Sequence, residues 1–171
     1  MCKVTKKNKN FRVSDGFEAK DLLKYARDHL ASAKLLFKRN PLCYDSGGYL
    51  AHLGLELTLK SILLKLNREF PVEHDLKTLY NLAKKSGAIP IKEDEEKILK
   101  KISQFFRLRY ANPQRPIEIG NDDWEAIERL FFSLLLANFP NDILSKLDDC
   151  NHYKKGNRVL MMKLKETTLP I

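Results

Sequence analysis

Apolar residues recur every three to four positions through most of residues 18–146, the period of an amphipathic helix, and they fall into five segments. In the first, near 18–39, Leu22, Ala26, Leu30, Ala33 and Phe37 share a face, and Lys24, Arg27, Asp28 and Lys34 occupy others. Asn40-Pro41 ends it, because the residue before a proline disfavours helical backbone. The second segment, near 46–68, is apolar on most faces from Leu50 to Leu66, the mark of a buried helix, and is expected at the centre of the fold. Asp45 or Ser46 is placed to cap it by accepting a bond from a free backbone N–H. One polar stripe runs along it at four-residue spacing: His52, Glu56 and Lys60. Glu56 followed by Lys60 has the favourable order for a helical ion pair.

The third segment, near 75–86, turns Leu76, Leu79, Leu82 and Ala83 inward, with Gly87 placed to terminate it. The fourth, near 92–109, opens on the acids Glu93 to Glu96, which suit the helix dipole, and offers Ile98, Ile102, Phe105 and Phe106 as its apolar face. A loop with Pro113 and Pro116 leads to the fifth, near 122–146, where Asp122 and Glu125 resemble a capping box and Trp124, Ile127, Phe131, Leu134, Leu135 and Asn138 form the inner stripe. Pro140 is expected to kink or break it. No alternating strand pattern of useful length occurs, although Val159–Leu164 is a candidate for a short extended arm. Short spacers between amphipathic helices predict an all-α fold, an antiparallel four- to five-helix up-and-down bundle.

A chain of 171 residues suffices for one domain that buries about 70% of its unfolded surface, without disulfides or a structural metal. The three cysteines, Cys2, Cys43 and Cys150, are far apart and odd in number, which suits a reducing cytoplasm. No metal site and no cofactor is expected. No apolar run is long enough for a membrane-spanning helix, and the polar start MCKVTKKNKNFRV lacks the apolar core of a secretory signal. The net charge of +9 is unevenly placed: residues 1–12 carry five basic residues and no acid, and 150–171 carry five against one. The body between balances 21 basic against 21 acidic residues. The expected organisation is a basic tail over 1–14, a helical bundle over 15–148 and a basic tail over 149–171. Such tails attract polyanions without reading sequence, or simply aid solubility.

The stretch Tyr44-Asp45-Ser46-Gly47-Gly48-Tyr49-Leu50-Ala51-His52, followed by Glu56 and Leu59-Lys60, resembles the second helix of the HEPN domain family. His74-Asp75-Leu76 is similar to the start of that family's third helix, and Phe106-Arg107-Leu108-Arg109-Tyr110 resembles the segment where its functional motif begins. The resemblance spans about 18–140. It implies a helical bundle tied to nucleotide or RNA handling. Some members are metal-independent ribonucleases, often toxins or defence components, that act as dimers; others accompany a minimal nucleotidyltransferase. Active ribonucleases of the family carry an Arg and, a few residues on, a His. Here that His is missing: the matching positions are Asn112 and Pro113 after Arg107, or Gln114 and Arg115 after Arg109, and no histidine lies between 75 and 151.

The absence matters because histidine moves protons near neutral pH, whereas arginine stays protonated. Arg107, Arg109 and Asn112 are therefore the candidate catalytic residues of a degenerate site. Tyr110, Arg115, Glu56, Lys60 and His52 are candidate ligand-binding residues. Two guanidiniums beside an aromatic suit phosphate contact and base stacking; the competing reading pairs one Arg with a bundle acid such as Glu56 and leaves the other solvated. Glu56 and Lys60 either line the same cleft or form a surface ion pair. Gly47-Gly48 either opens backbone N–H groups to an anion or allows close helix packing, the favoured reading, and His74 reads as a local capping residue. His52 or His74 replaces the missing His only if the fold brings one to the arginines. The expected protein is a HEPN-like homodimer binding RNA or nucleotide. It is expected to serve as an accessory or as a toxin–antitoxin or defence component. The alternatives are an active metal-independent ribonuclease or toxin, or the structural partner of a minimal nucleotidyltransferase.

Overall fold

The computed structural model describes residues 10–39, 41–110, 114 and 116–139. The chain divides into two compact units, Met1–Asn138 and Phe139–Ile171. Of the second only Phe139 is among the described residues, so the architecture is that of the first. The expected arm at 159–164 and the C-terminal basic segment lie outside the described residues.

Among the described residues, five α-helices form the expected all-α antiparallel bundle: α1 (Ala19–Arg39), α2 (Tyr44–Asn67), α3 (Leu76–Lys85), α4 (Glu93–Ile102) and α5 (Asn121–Asn138). Helix α2 is the central one and packs on α1, α3, α5 and the segment that follows α4. Its Leu55, Leu59, Ile62, Leu63 and Leu64 are almost wholly buried. Helix α1 approaches closely where α2 carries Gly54: a Cβ there would lie 2.6 Å from Leu30 Cγ and 3.0 Å from the Ala26 carbonyl oxygen. At the other end Ser61 donates a 2.6 Å hydrogen bond to the carbonyl of Ala19, fixing the start of α1.

Helix ends follow local chemistry, not always as expected. No side chain caps α2, which begins a residue or two earlier than expected, so Asp45 sits inside its first turn. Helix α3 is capped by Asp75, which accepts from Thr78 N. It closes as predicted at Gly87, whose φ of +94° lets Gly87 N and Ala88 N return to the carbonyls of Lys84 and Ala83. The start of α5 is closed by Asp123 accepting from Gly120 N, not by Asp122 and Glu125. Helix α5 stops at Asn138, two residues before Pro140, as the proline demands.

Two features depart further from expectation. A two-stranded antiparallel sheet joins β1 (Asn10–Arg12) to β2 (Glu69–Pro71). It draws Asn10–Ser14 out of the predicted basic tail and onto the bundle. Phe11, Phe17 and Phe70 hold it, with ring centroids 5.1–5.5 Å apart. Glu69 accepts hydrogen bonds from Asn10 and Arg12. The second departure is that α4 ends at Ile102 and the chain tightens into a 3-10 segment over Ser103–Arg109.

Candidate nucleic-acid interface

In a 3-10 helix residues three apart eclipse one another, so Ser103–Arg109 presents three rows. Phe105 and Leu108 form the inward row and meet α2 at Gly48, where a Cβ would lie 2.7 Å from Leu108 and 3.3 Å from Phe105. Close packing is therefore what Gly48 provides, as the favoured reading held. Phe106 and Arg109 are exposed, as is Tyr110, which follows the segment in extended backbone. Phe106 is 49% exposed and Tyr110 71%. The Arg109 guanidinium lies 5.3 Å from the Tyr110 ring centroid, a cation–π distance. Arg107 is half-buried and engaged.

This segment is locked to the start of α3. Ser103 donates 2.6 Å to Asp75 Oδ1 and accepts 3.1 Å from Leu76 N. Burial alone would raise the Asp75 pKa, but the hydrogen bonds from Ser103 and Thr78 outweigh it, and the carboxyl sits below its ordinary value.

The polar stripe of α2 is not at the surface. Glu56 and Lys60 are 6% and 7% exposed and pair at 2.7 Å. This removes the surface ion-pair reading. Lys60 Nζ also lies 5.8 Å from the Phe70 ring centroid. The same Glu56 oxygen receives a second bond, 3.0 Å, from Nδ1 of His74, whose side chain is 67% exposed. His52 is fully buried; its Nδ1–H donates to the Ile102 carbonyl at 3.2 Å. Its Nε2 has no hydrogen-bond partner and faces Glu56 Oε2 at 3.7 Å. Burial depresses the His52 pKa against the pull of the Ile102 carbonyl and Glu56, so the ring is held neutral. The ring touches Phe106, centroids 5.9 Å apart.

The candidates thus divide. Arg107 and Arg109 lie on the 3-10 segment and Tyr110 directly follows it; Asn112 and Arg115 lie outside the described residues. His52 packs against Phe106 of that segment, and Glu56 and Lys60 are buried further along α2, toward His74 and Phe70. Two residues depart from the sequence expectation. Phe106, read as core, is exposed because the tighter 3-10 turn moves it off the inward row. His74, read as a cap, points its ring at Glu56 while Asp75 does the capping. The only signal for His74 in the sequence is a lone imidazole directly preceding an N-cap residue. An open depression of about 620 Å³ at the starts of α2 and α5 is lined by Asp45, Glu118, Asp122 and Asp123 with Lys101, an acidic wall that does not suit phosphate.

A central buried helix, four companions and an outward basic-aromatic 3-10 segment define a small helical bundle. The family model of the HEPN domain matches residues 19–131, about two-thirds of the chain, and the chain belongs to the HEPN domain family. Membership ties it at family level to nucleotide- and RNA-related functions, in a family whose members often dimerise. No curated protein and no solved structure matches the chain. Among the described residues, no helix is long and apolar enough to cross a membrane.

Proposed function

We propose that this protein binds single-stranded RNA or nucleotide through the 3-10 segment that follows α4, and does so as a homodimer. The observation that carries the reading is Arg109 over the exposed ring of Tyr110, with Phe106 on the neighbouring row. Aromatic faces stack on bases without sequence preference, and guanidiniums contact phosphate. Arg107 is the second cation of the interface; Asn112 and Arg115 continue the chain from it. The basic residues of 1–12 and 150–171 add salt-sensitive attraction. Glu56, Lys60 and His52 act by holding the wall behind the interface, not by touching the ligand.

Fluorescence anisotropy with labelled single-stranded RNA and with nucleotides, over a salt series, tests this. Binding that weakens with salt and with Tyr110→Ala supports it. The alternatives predict other outcomes. An active ribonuclease degrades the probe. A structural companion of a minimal nucleotidyltransferase forms a stable hetero-complex and leaves RNA unbound.

A further inference from the structure

We propose that Gly48 of α2 is a positioning residue of the RNA-binding face, the seat that sets Phe106, Arg109 and Tyr110 where a strand meets them, a role that rests on the RNA reading above. Glycine is a poor residue for a helix interior, less favourable there than any other but proline. Gly48 lies within α2 and, unlike Gly16 and Gly87, has no positive φ that would call for it. What it supplies is the room left by a missing Cβ.

The tightly packed glycines of α2 divide by what they meet. A Cβ at Gly47 would touch Phe37 and Leu36, and one at Gly54 would touch Leu30 and Ala26, all on α1. A Cβ at Gly48 would instead run into Ile119 Cδ1, and would lie 2.7 Å from Leu108 Cδ1 and 3.3 Å from Phe105. None of these belongs to α1. Phe105 and Leu108 are the inward residues of the 3-10 segment. Phe105 directly precedes Phe106, and Leu108 directly precedes Arg109. Each of the two side chains seated on Gly48 therefore sets the place of an exposed neighbour.

Ile119 brings a second piece of chain to the same spot, just before α5. Leu108 and Ile119 hold the two ends of the stretch 109–118 at one point of α2. A stretch held at both ends gives up less freedom when its groups engage a ligand.

Gly48 is more than a core glycine of the Gly54 kind, because the two sites differ in what gives way. At Gly54 the obstacle includes the backbone oxygen of Ala26, so a methyl strains the α1–α2 contact. At Gly48 the obstacles are side-chain atoms of the 3-10 segment and of Ile119. A methyl there lifts those residues off α2 and leaves the α1–α2 pair alone. Packing attraction is short-ranged: a gap of about 0.5–1 Å forfeits roughly a quarter to a half of it, enough to spoil the fit of rings against bases.

The test uses the full chain and labelled single-stranded RNA at fixed low salt. The variants are Gly48→Ala, the double variant Gly48→Ala/Ile119→Val and, as a measure of packing loss alone, Gly54→Ala. Anisotropy is read at a temperature where circular dichroism shows each folded, with amide NMR spectra of the free proteins alongside. Gly48→Ala is expected to bind about three- to tenfold more weakly than wild type, a partial loss of stacking at one base, and to shift the Arg109 and Tyr110 amides. Ile119→Val removes the Cδ1 atom that the new methyl meets, so the double variant is expected to recover most of the affinity. Gly54→Ala is expected to lose stability but to keep wild-type affinity and wild-type Arg109 and Tyr110 amides. A merely structural role predicts the opposite, weakening in step with lost stability at either glycine. Should Gly48→Ala not fold, Leu108→Ala opens the same contact from the other side and is expected to weaken binding by a similar factor. Wild-type affinity in folded Gly48→Ala, or in Leu108→Ala where it stands in, overturns the inference and leaves the RNA reading intact. So does equal weakening by Gly54→Ala, or a double variant no tighter than Gly48→Ala. Absence of RNA binding by the wild-type chain overturns both.

Discussion

Ser103 donates a 2.6 Å hydrogen bond to Asp75, and this bond fastens the start of the 3-10 segment to the start of α3. The same hydroxyl receives Leu76 N, so one side chain satisfies the cap of one helix and anchors the next element. Ser103→Ala strips a partner from a buried N–H and from a carboxylate. A loss of about 1–3 kcal/mol follows from leaving such groups unmet, to be read as a lower urea midpoint with an unchanged slope.

Two groups tie stability to pH in different windows. His52 has a folded pKa below its ordinary 6.5 because burial opposes its charge. The unfolded chain therefore binds the proton first. His52 costs nothing above pH 6.5 and destabilises as pH falls from there toward its folded value. Asp75, held below 3.8 against its burial by Ser103 and Thr78, contributes stability that is complete above that value and is lost only as pH falls through the folded one. Denaturant midpoints across pH 7.5 to 3 should show both declines. His52→Asn should flatten the upper one and Asp75→Asn the lower.

Gly54 is a packing requirement of the α1–α2 contact. Gly54→Ala sets a methyl 3.0 Å from the backbone oxygen of Ala26, which no rotamer change relieves. Overpacking of this kind costs about 1–3 kcal/mol. The check is a thermal melt, and a midpoint equal to wild type would contradict the close approach.

The Glu56–Lys60 pair is nearly dry, so its halves are worth more together than singly. Lys60→Met leaves a buried carboxylate with His74 alone and should cost about 3–5 kcal/mol. Adding Glu56→Leu should recover much of it, since an apolar pair of similar volume is often neutral there. A double-mutant cycle in guanidinium measures the recovery.

The bundle was legible in the sequence because its signal is long-range periodicity: Leu22 to Phe37 and Leu50 to Leu66 give α1 and α2 almost to their ends. What the sequence left out is set by contacts between distant segments. The pairing of Phe11 with Phe70 is too short to show alternation. The change from α to 3-10 falls at Ser103, which bonds Asp75, 28 positions away, and Phe106 is at the surface beyond it. Of the candidate site, Arg107, Arg109 and Tyr110 stand together as their adjacency suggests. The burial of Glu56 and Lys60 was ambiguous, since a polar stripe on an apolar helix reads equally as a cleft wall or a solvated face. His74 reads as a capping residue in the sequence because its partner, Glu56, belongs to another element.

The central claim is that Arg109 and Tyr110 form a nucleic-acid interface. It is tested most directly by anisotropy of single-stranded RNA with the full chain and with the Arg109→Ala/Tyr110→Ala double variant at fixed salt. Stacking lost at one base is worth about 1–3 kcal/mol. The account predicts affinity at least tenfold weaker in the variant, with the circular dichroism spectrum and melting temperature unchanged. Equal affinity for both proteins would contradict it.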